Sequence, residues 1–284
     1  MLPPRGRTVS ADRRTGSRPL DHLSFATYLA PSLLGVYETI ALEVGRRVGI
    51  ATELVVEATY DSCERDEHEV CFVCSLPYVM FERQRLDVAI PVAAPVLLGE
   101  RYAGRPIYFS DVIVRSDSPF RSFLDLRGRS WAYNEPLSHS GYGITRYHMV
   151  TMGETSGFFG EVVEAGFHDR AVRMVANGEV DASAIDSQVL AIEVRADPDL
   201  AGQLRVIEEL GPSTIQPVAV SRRVPTELRE EVRRALLTMT DDPEIRDVLS
   251  AGLIERFEPV GPSSYDDIRV MLDACERAGF MELR

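Results

Sequence analysis

The chain has 284 residues, 45% of them hydrophobic and 26% charged, with 20 Gly and 17 Pro; at roughly 100–200 residues per domain this is one large globular domain or two lobes, not a disordered or fibrous chain. All 31 basic residues are arginine, so Schiff-base, P-loop and general-base lysines are excluded, and every fixed side-chain cation is a guanidinium that can fork onto an oxyanion but cannot shuttle a proton. The net charge of −13 argues against a nucleic-acid partner, because phosphate-backbone binding needs clustered cations.

Residues 1–20 hold five arginines against Asp12, interspersed with Pro3, Pro4, Gly6, Gly16 and Pro19. They read as a disordered arm and leave residues 21–284 at −17. No apolar export segment precedes Leu23 and no later run approaches the roughly 18 apolar residues of a membrane span. The expectation is a cytoplasmic chain without membrane insertion, extracytoplasmic only if an upstream start supplies a signal. Cys63, Cys71, Cys74 and Cys275 are then expected as reduced thiols without a bridge.

The alternation in LSFATYLA predicts a strand over 23–30, and the Pro31-Ser32 start a helix over 31–48. Further strands are predicted over 52–58, 69–74, 87–96 and 106–115, with a helix over 76–85 and a loop between 58 and 69. A strand as long as 106–115 is able to span two lobes. A short helix over 120–126, a strand over 130–133, a loop over 134–140 and a helix over 141–153 follow. Strands over 161–165 and 182–185 flank a helix over 169–177, and strands over 203–209 and 216–220 are separated by the breaker Gly211-Pro212. From Pro225 the pattern turns helical, over 226–239, 242–250 and 264–278. Strands separated by helices predict an α/β fold with mostly parallel sheets, whose ligands collect at the carboxyl ends of strands beside helix starts.

One loop stands out chemically. Asn134-Glu135-Pro136-Leu137-Ser138-His139-Ser140-Gly141 brings hydroxyls, an imidazole and unpaired amides to a helix start, which suits an oxyanion and equally suits a plain helix cap by Ser138 or Ser140. With no lysine available, an anion in this acidic body must be held by preorganised N–H and hydroxyl donors, with at most an arginine such as Arg146 or Arg170 nearby.

The order of PIYFSDVIVR, SFLDLRG, SHSGYG, GFHDRAVRMVANGEVDASAIDS and QPVAVSRRVPTELREEVRRALLTM resembles the substrate-binding proteins of phosphonate and phosphite ABC transporters. The resemblance runs from about Leu23 to the last helix. It implies a two-lobed type II periplasmic-binding-protein fold, each lobe a mixed, mostly parallel sheet flanked by helices, with lobe 1 formed by 21–108 and 218–284 and lobe 2 by 109–217. It implies an ABC permease as partner; no cofactor and a monomer are expected. It further implies that Ser138, His139, Ser140 and Gly141 hold the oxyanion, that Tyr78 and Tyr108 face the cleft, and that His168, Asp169 and Asp186 meet the other end of the ligand. His139 stands where such proteins often carry a small hydroxyl residue. Asp186 reads either as a contact for a ligand ammonium or as a helix cap, and His168 either as a ligand contact or as a core histidine satisfied by a carbonyl.

The expected function is binding of a phosphonate-, phosphite- or phosphate-like anion, for uptake or as a cytosolic sensor. The alternative is a biosynthetic enzyme on the same fold acting on a small carboxylate or phosphate metabolite. Cys63, His68, Cys71 and Cys74 have spacing compatible with zinc, but Cys71 and Cys74 fall on opposite faces of an apolar strand, where cysteine behaves as a small buried hydrophobe, so no metal is expected. The serines flanking His139 do not make a hydrolytic dyad, since adjacent residues on a tight turn do not face one another.

Overall fold

A computed structural model describes residues 21–84 and 89–283; the arginine-rich arm and the first two residues of the strand expected over 87–96 lie outside them. In chain order the elements are β1 (His22–Thr27), a 3-10 turn at Pro31–Leu33, α1 (Leu34–Val48), β2 (Ala51–Val56), α2 (Asp61–Glu64), β3 (Val70–Phe72), α3 (Ser75–Arg83), β4 (Ala89–Leu97), β5 (Ile107–Arg115), β6 (Ser130–Tyr133), a π-helical turn His139–Gly143 running into α4 (Ile144–Thr151), β7 (Glu161–Glu164), α5 (His168–Ala176), β8 (Ala182–Asp186), α6 (Ser187–Ala196), α7 (Pro198–Gln203), β9 (Leu204–Thr214), β10 (Val218–Ser221), α8 (Thr226–Thr238), α9 (Pro243–Ala251), β11 (Ile254–Pro259) and α10 (Asp266–Arg277).

Two sheets result. The first has the order β11-β4-β10-β3-β1-β2 and the second β7-β6-β8-β5-β9. In the first, β1 is parallel to β2 and β3, while β10 runs antiparallel to β3 and β4 and β11 antiparallel to β4. In the second, β6 is parallel to β7 and β8, and β5 antiparallel to β8 and β9. The fold is therefore α/β with two mixed sheets. The chain passes from the first sheet to the second between β4 and β5, and returns between β9 and β10.

Each sheet buries its own apolar core. α1 places Val36, Ile40 and Val44 on one face, the helical spacing that packs a helix on a sheet, and they join Leu23, Phe25, Val70, Val220 and Leu236. α1 stops where Gly49 takes up a left-handed φ of 72°, a conformation glycine adopts without steric penalty. The second core centres on Trp131, which stacks on Phe159 at 4.7 Å, with Phe123, Phe158 and Met149 around it. The sequence beyond α10 crosses over: Phe280 and Leu283 pack into this second core, the Arg146 guanidinium donates to the Met281 carbonyl at 2.9 Å, and the Leu283 amide donates to the Tyr142 hydroxyl at 3.3 Å.

Several elements depart from the sequence expectations. β9 continues through Gly211-Pro212; the ladder with β5 absorbs the pair as a register shift between Tyr108 and Ser110, so the breaker bends the strand without ending it. β11 departs from the helical reading of the region after Pro225: it pairs with β4 at the edge of the first sheet and buries Ile254 and Phe257. α6 follows β8 with no intervening loop, and Asp186 takes the helix-cap alternative: its Oδ1 accepts from the Gln188 amide at 2.8 Å and the Val189 amide at 3.4 Å. The loop after residue 58 holds α2. β5 pairs only within the second sheet, although Ile107 and Tyr108 at its start pack into the first core. No helix among the described residues is long and apolar enough to cross a membrane.

Candidate ligand cleft

The parallel strands of both sheets end at one cavity. The residues just beyond β1, β2 and β3 include Tyr28, Glu57 and Cys74; those just beyond β6 and β7 include Asn134, Glu135 and Gly166; Asp186 closes β8. All of them line a cleft of about 460 Å³, within the size range of drug-sized ligand sites. Carboxyl strand ends facing helix starts are where open α/β sheets gather ligands.

The Asn134–Gly141 loop forms one wall. Ser138 caps the π-helical turn, its Oγ accepting from the Gly141 amide at 3.2 Å. It lies 3.3 Å from Ser140 Oγ, which is 2.8 Å from His168 Nε2. Ser138, Ser140 and His168 all line the cleft. Burial pushes His168 down to about 4, so the imidazole is neutral near pH 7 and its Nδ1 has no hydrogen-bond partner. Gly141 is required by close approach: a Cβ there would stand 2.0 Å from Asn134 Oδ1. That oxygen is itself buried without a partner.

Of the oxyanion residues expected from sequence, His139 and Gly141 do not line the cleft. His139 is 1% exposed beneath the turn, its Nε2 3.0 Å from Ser213 Oγ and its amide donating to Cys74 Sγ at 3.4 Å. Burial, then the Arg146 charge, pushes its imidazole down to about 3, so it braces the turn as a neutral group. Tyr78 and Tyr108 are likewise absent from the lining. Tyr78 packs edge-on against Tyr265 at 5.1 Å, and Tyr108 lies in the first core with its ring 6.4 Å from that of His139. Asp169 sits in the first turn of α5, off the lining.

Asp186 does line the cleft, but its oxygens are engaged: besides capping α6 it accepts from Gln216 Nε2 at 2.8 Å, tying the second sheet to the connection between β9 and β10 that returns to the first. Burial pushes it up to about 6. The cysteine and histidine set does not converge. His68 sits between Ser24 Oγ and Glu57 Oε1, both at 2.8 Å, the cysteines are buried in a separate apolar cluster, and no group of metal-holding side chains exists among the described residues.

The lining also holds residues that sequence reasoning missed. Tyr28, Tyr37 and Tyr60 form an aromatic wall from the first sheet's side, Tyr28 stacked on Tyr60 at 4.7 Å, and Phe167 stands at the mouth, 54% exposed. Glu57, Glu135, Glu164 and Asp186 supply four carboxylates, and no arginine lines the cleft among the described residues. No periodicity singles these positions out; Tyr28, Glu57 and Glu135 share placement one or two residues past a parallel strand, Glu164 and Asp186 end one, and Tyr37, Tyr60 and Phe167 carry no such signal.

Comparison with known proteins agrees with this architecture. The family model described as "ABC transporter, phosphonate, periplasmic substrate-binding protein" matches residues 29–265. A binding-protein component of an ABC phosphonate transporter from Pseudomonas aeruginosa superposes with a TM-score of 0.79 at 17% identity, covering 92% of this chain and 88% of that one. PhnD1 of Prochlorococcus marinus in complex with methylphosphonate gives 0.78 at 14% identity, over 91% and 98% of the two chains. A Xanthomonas citri protein bound to ATP gives 0.71 at 17% identity, over 92% and 100%. At these identities the structural likenesses establish the two-lobed fold.

Proposed function

The chain belongs to the family of periplasmic phosphonate substrate-binding proteins of ABC transporters, and on that premise we propose that it captures a small organic oxyanion, a phosphonate or phosphate ester, in the cleft between its two sheets for delivery to an ABC permease. The observation that carries this reading is the linked donor set of Ser140, Ser138 and His168 at the start of a helix, lining the cavity. With the proton of neutral His168 on Nε2 and donated to Ser140, the serine hydroxyl proton is left for a ligand oxygen, and the helix start adds a favourable dipole. A relative solved with methylphosphonate and another solved with ATP both hold phosphorus oxyanions in the same fold, and a cleft of about 460 Å³ has room for a ligand larger than the first.

A ligand that binds only the folded state raises the melting temperature by mass action. Methylphosphonate, aminoalkylphosphonates, phosphite, phosphate and nucleotides, tested one by one, should include at least one that raises it in a concentration-dependent way, and Ser138→Ala with Ser140→Ala should abolish that rise. A folded protein indifferent to every member, or a rise retained in the double variant, contradicts the proposal.

A further inference from the structure

The cleft has an apolar side that its hydroxyl and imidazole donors leave unused. Phe167, which lines the cleft, is the only exposed aromatic side chain among the described residues. It immediately precedes His168, whose Nε2 is 2.8 Å from Ser140 Oγ, so the chain sets it beside the donor set. Its ring contacts no other ring among the described residues. From the first sheet's side comes Val56, 60% exposed at the end of β2, paired with Thr27 of β1, after which Leu29, Ala30 and Pro31 extend the lining. Tyr28 and Tyr60, stacked with an interplanar angle of 15°, complete that wall. One exposed apolar side chain is ordinary on a protein surface. Two from opposite sheets, lining one cavity beside a stacked aromatic pair, leave apolar surface for whatever occupies the cavity.

We propose that the ligand joins its oxyanion to a planar aromatic ring, which is held between Phe167 and the wall made by Val56 and the Tyr28–Tyr60 pair. This rests on the cleft being the ligand site and names the organic group that it selects. The charge of the cleft argues in the same direction. Four carboxylates and, among the described residues, no arginine line it, so the oxyanion meets only neutral donors and a helix start, each a modest gain. The rest of the affinity has to come from burying apolar surface, which the carboxylates do not oppose and which grows with the area covered. A flat ring adds the stacking contribution of aromatic pairs, which an aliphatic group of the same bulk lacks. A cavity of about 460 Å³ has room for both ends of such a ligand.

Calorimetric titration with methylphosphonate, cyclohexylphosphonate, phenylphosphonate and adenosine monophosphate tests this, the last two distinguishing a ring joined to phosphorus from one carried on a sugar. At least one of the two ring-bearing ligands should bind about tenfold or more tighter than methylphosphonate, the range of burying one large apolar group, and tighter than cyclohexylphosphonate, which has the bulk without the flat face. Phe167→Ala should reduce that advantage severalfold, and Val56→Ser should reduce it as well; both side chains are more than half exposed, so neither truncation opens a core. A wild type that binds methylphosphonate as tightly as both ring-bearing ligands, an advantage shared by cyclohexylphosphonate, or an advantage unchanged in Phe167→Ala overturns the ring subsite and leaves the cleft assignment standing. Failure of folded wild-type protein to bind any of the four overturns the cleft assignment and the subsite with it.

Discussion

His168 carries the plainest residue-scale consequence of burying titratable groups in an anion site. Its folded value near 4 lies below the ordinary 6.5, so the stability it contributes is fully present above pH 6.5 and is lost as pH falls towards 4, by about 3 kcal/mol at 1.36 kcal/mol per unit. Asp186 and Glu135 act oppositely: raised to about 6 and about 7, they contribute stability that is present below their unfolded values and lost as pH rises through the folded ones. The opposing slopes overlap, so the whole-protein curve masks them and only the comparison of variants separates them. Chemical denaturation of wild type and His168→Gln should show their stability difference shrinking on acidification from pH 6.5 to about 4; a difference independent of pH contradicts a neutral buried imidazole. At this scale the sequence was legible in part. Ser138, Ser140, His168 and Asp186 all reach the cleft, because a hydroxyl-rich loop ahead of a helix and a residue ending a strand are local features. Tyr78, Tyr108, His139 and Asp169 do not, because whether a tyrosine on α3 or a histidine in a tight turn faces cavity or core depends on packing from distant segments, Tyr265 and Ser213 in these cases.

Among the elements, the segment after α10 bears most directly on the binding loop. Arg146 is 4% exposed and has no carboxylate ion-pair partner among the described residues; it lies 4.9 Å from the Tyr142 ring centroid and donates to Met281, so the tail is fastened to the helix that continues from the Ser138–Ser140 turn. Phe280→Ala should cost about 3–5 kcal/mol as a core truncation, measured by urea unfolding. It should also weaken ligand binding more than Leu236→Ala, a truncation in the first core away from the loop. Equal effects of the two on affinity would show that the tail only contributes bulk stability. Most elements were legible because their periodicity is local: α1, α5 and α8 carry apolar stripes, and β5 and β6 are runs rich in β-branched and aromatic residues. β11 and α6 were not, since a strand lodged between helices and a helix hidden behind a capping aspartate both need the neighbouring element to be recognised. The Gly211-Pro212 pair misled because its turn propensity is overridden by pairing along β9.

For the whole molecule, the order of strands and helices implied an α/β fold with mostly parallel sheets, the two lobes with mixed sheets following from the family resemblance, and the rule that ligands sit beyond the carboxyl ends of parallel strands, applied to every strand, would also have found Tyr28, Glu57 and Glu135. What no local pattern reveals is the cavity's charge balance, which exists only once both sheets face each other: a lysine-free chain has built an anion-binding family's cleft from hydroxyls, a neutral histidine and carboxylates. The absence of lysine thus bears on the site itself. The most direct measurement is a crystal structure of the protein with a phosphonate bound. The account predicts the oxyanion within hydrogen-bond distance of Ser138 Oγ and Ser140 Oγ, between the two sheets, with no arginine in contact. An oxyanion held chiefly by an arginine, or bound outside this cleft, would contradict it.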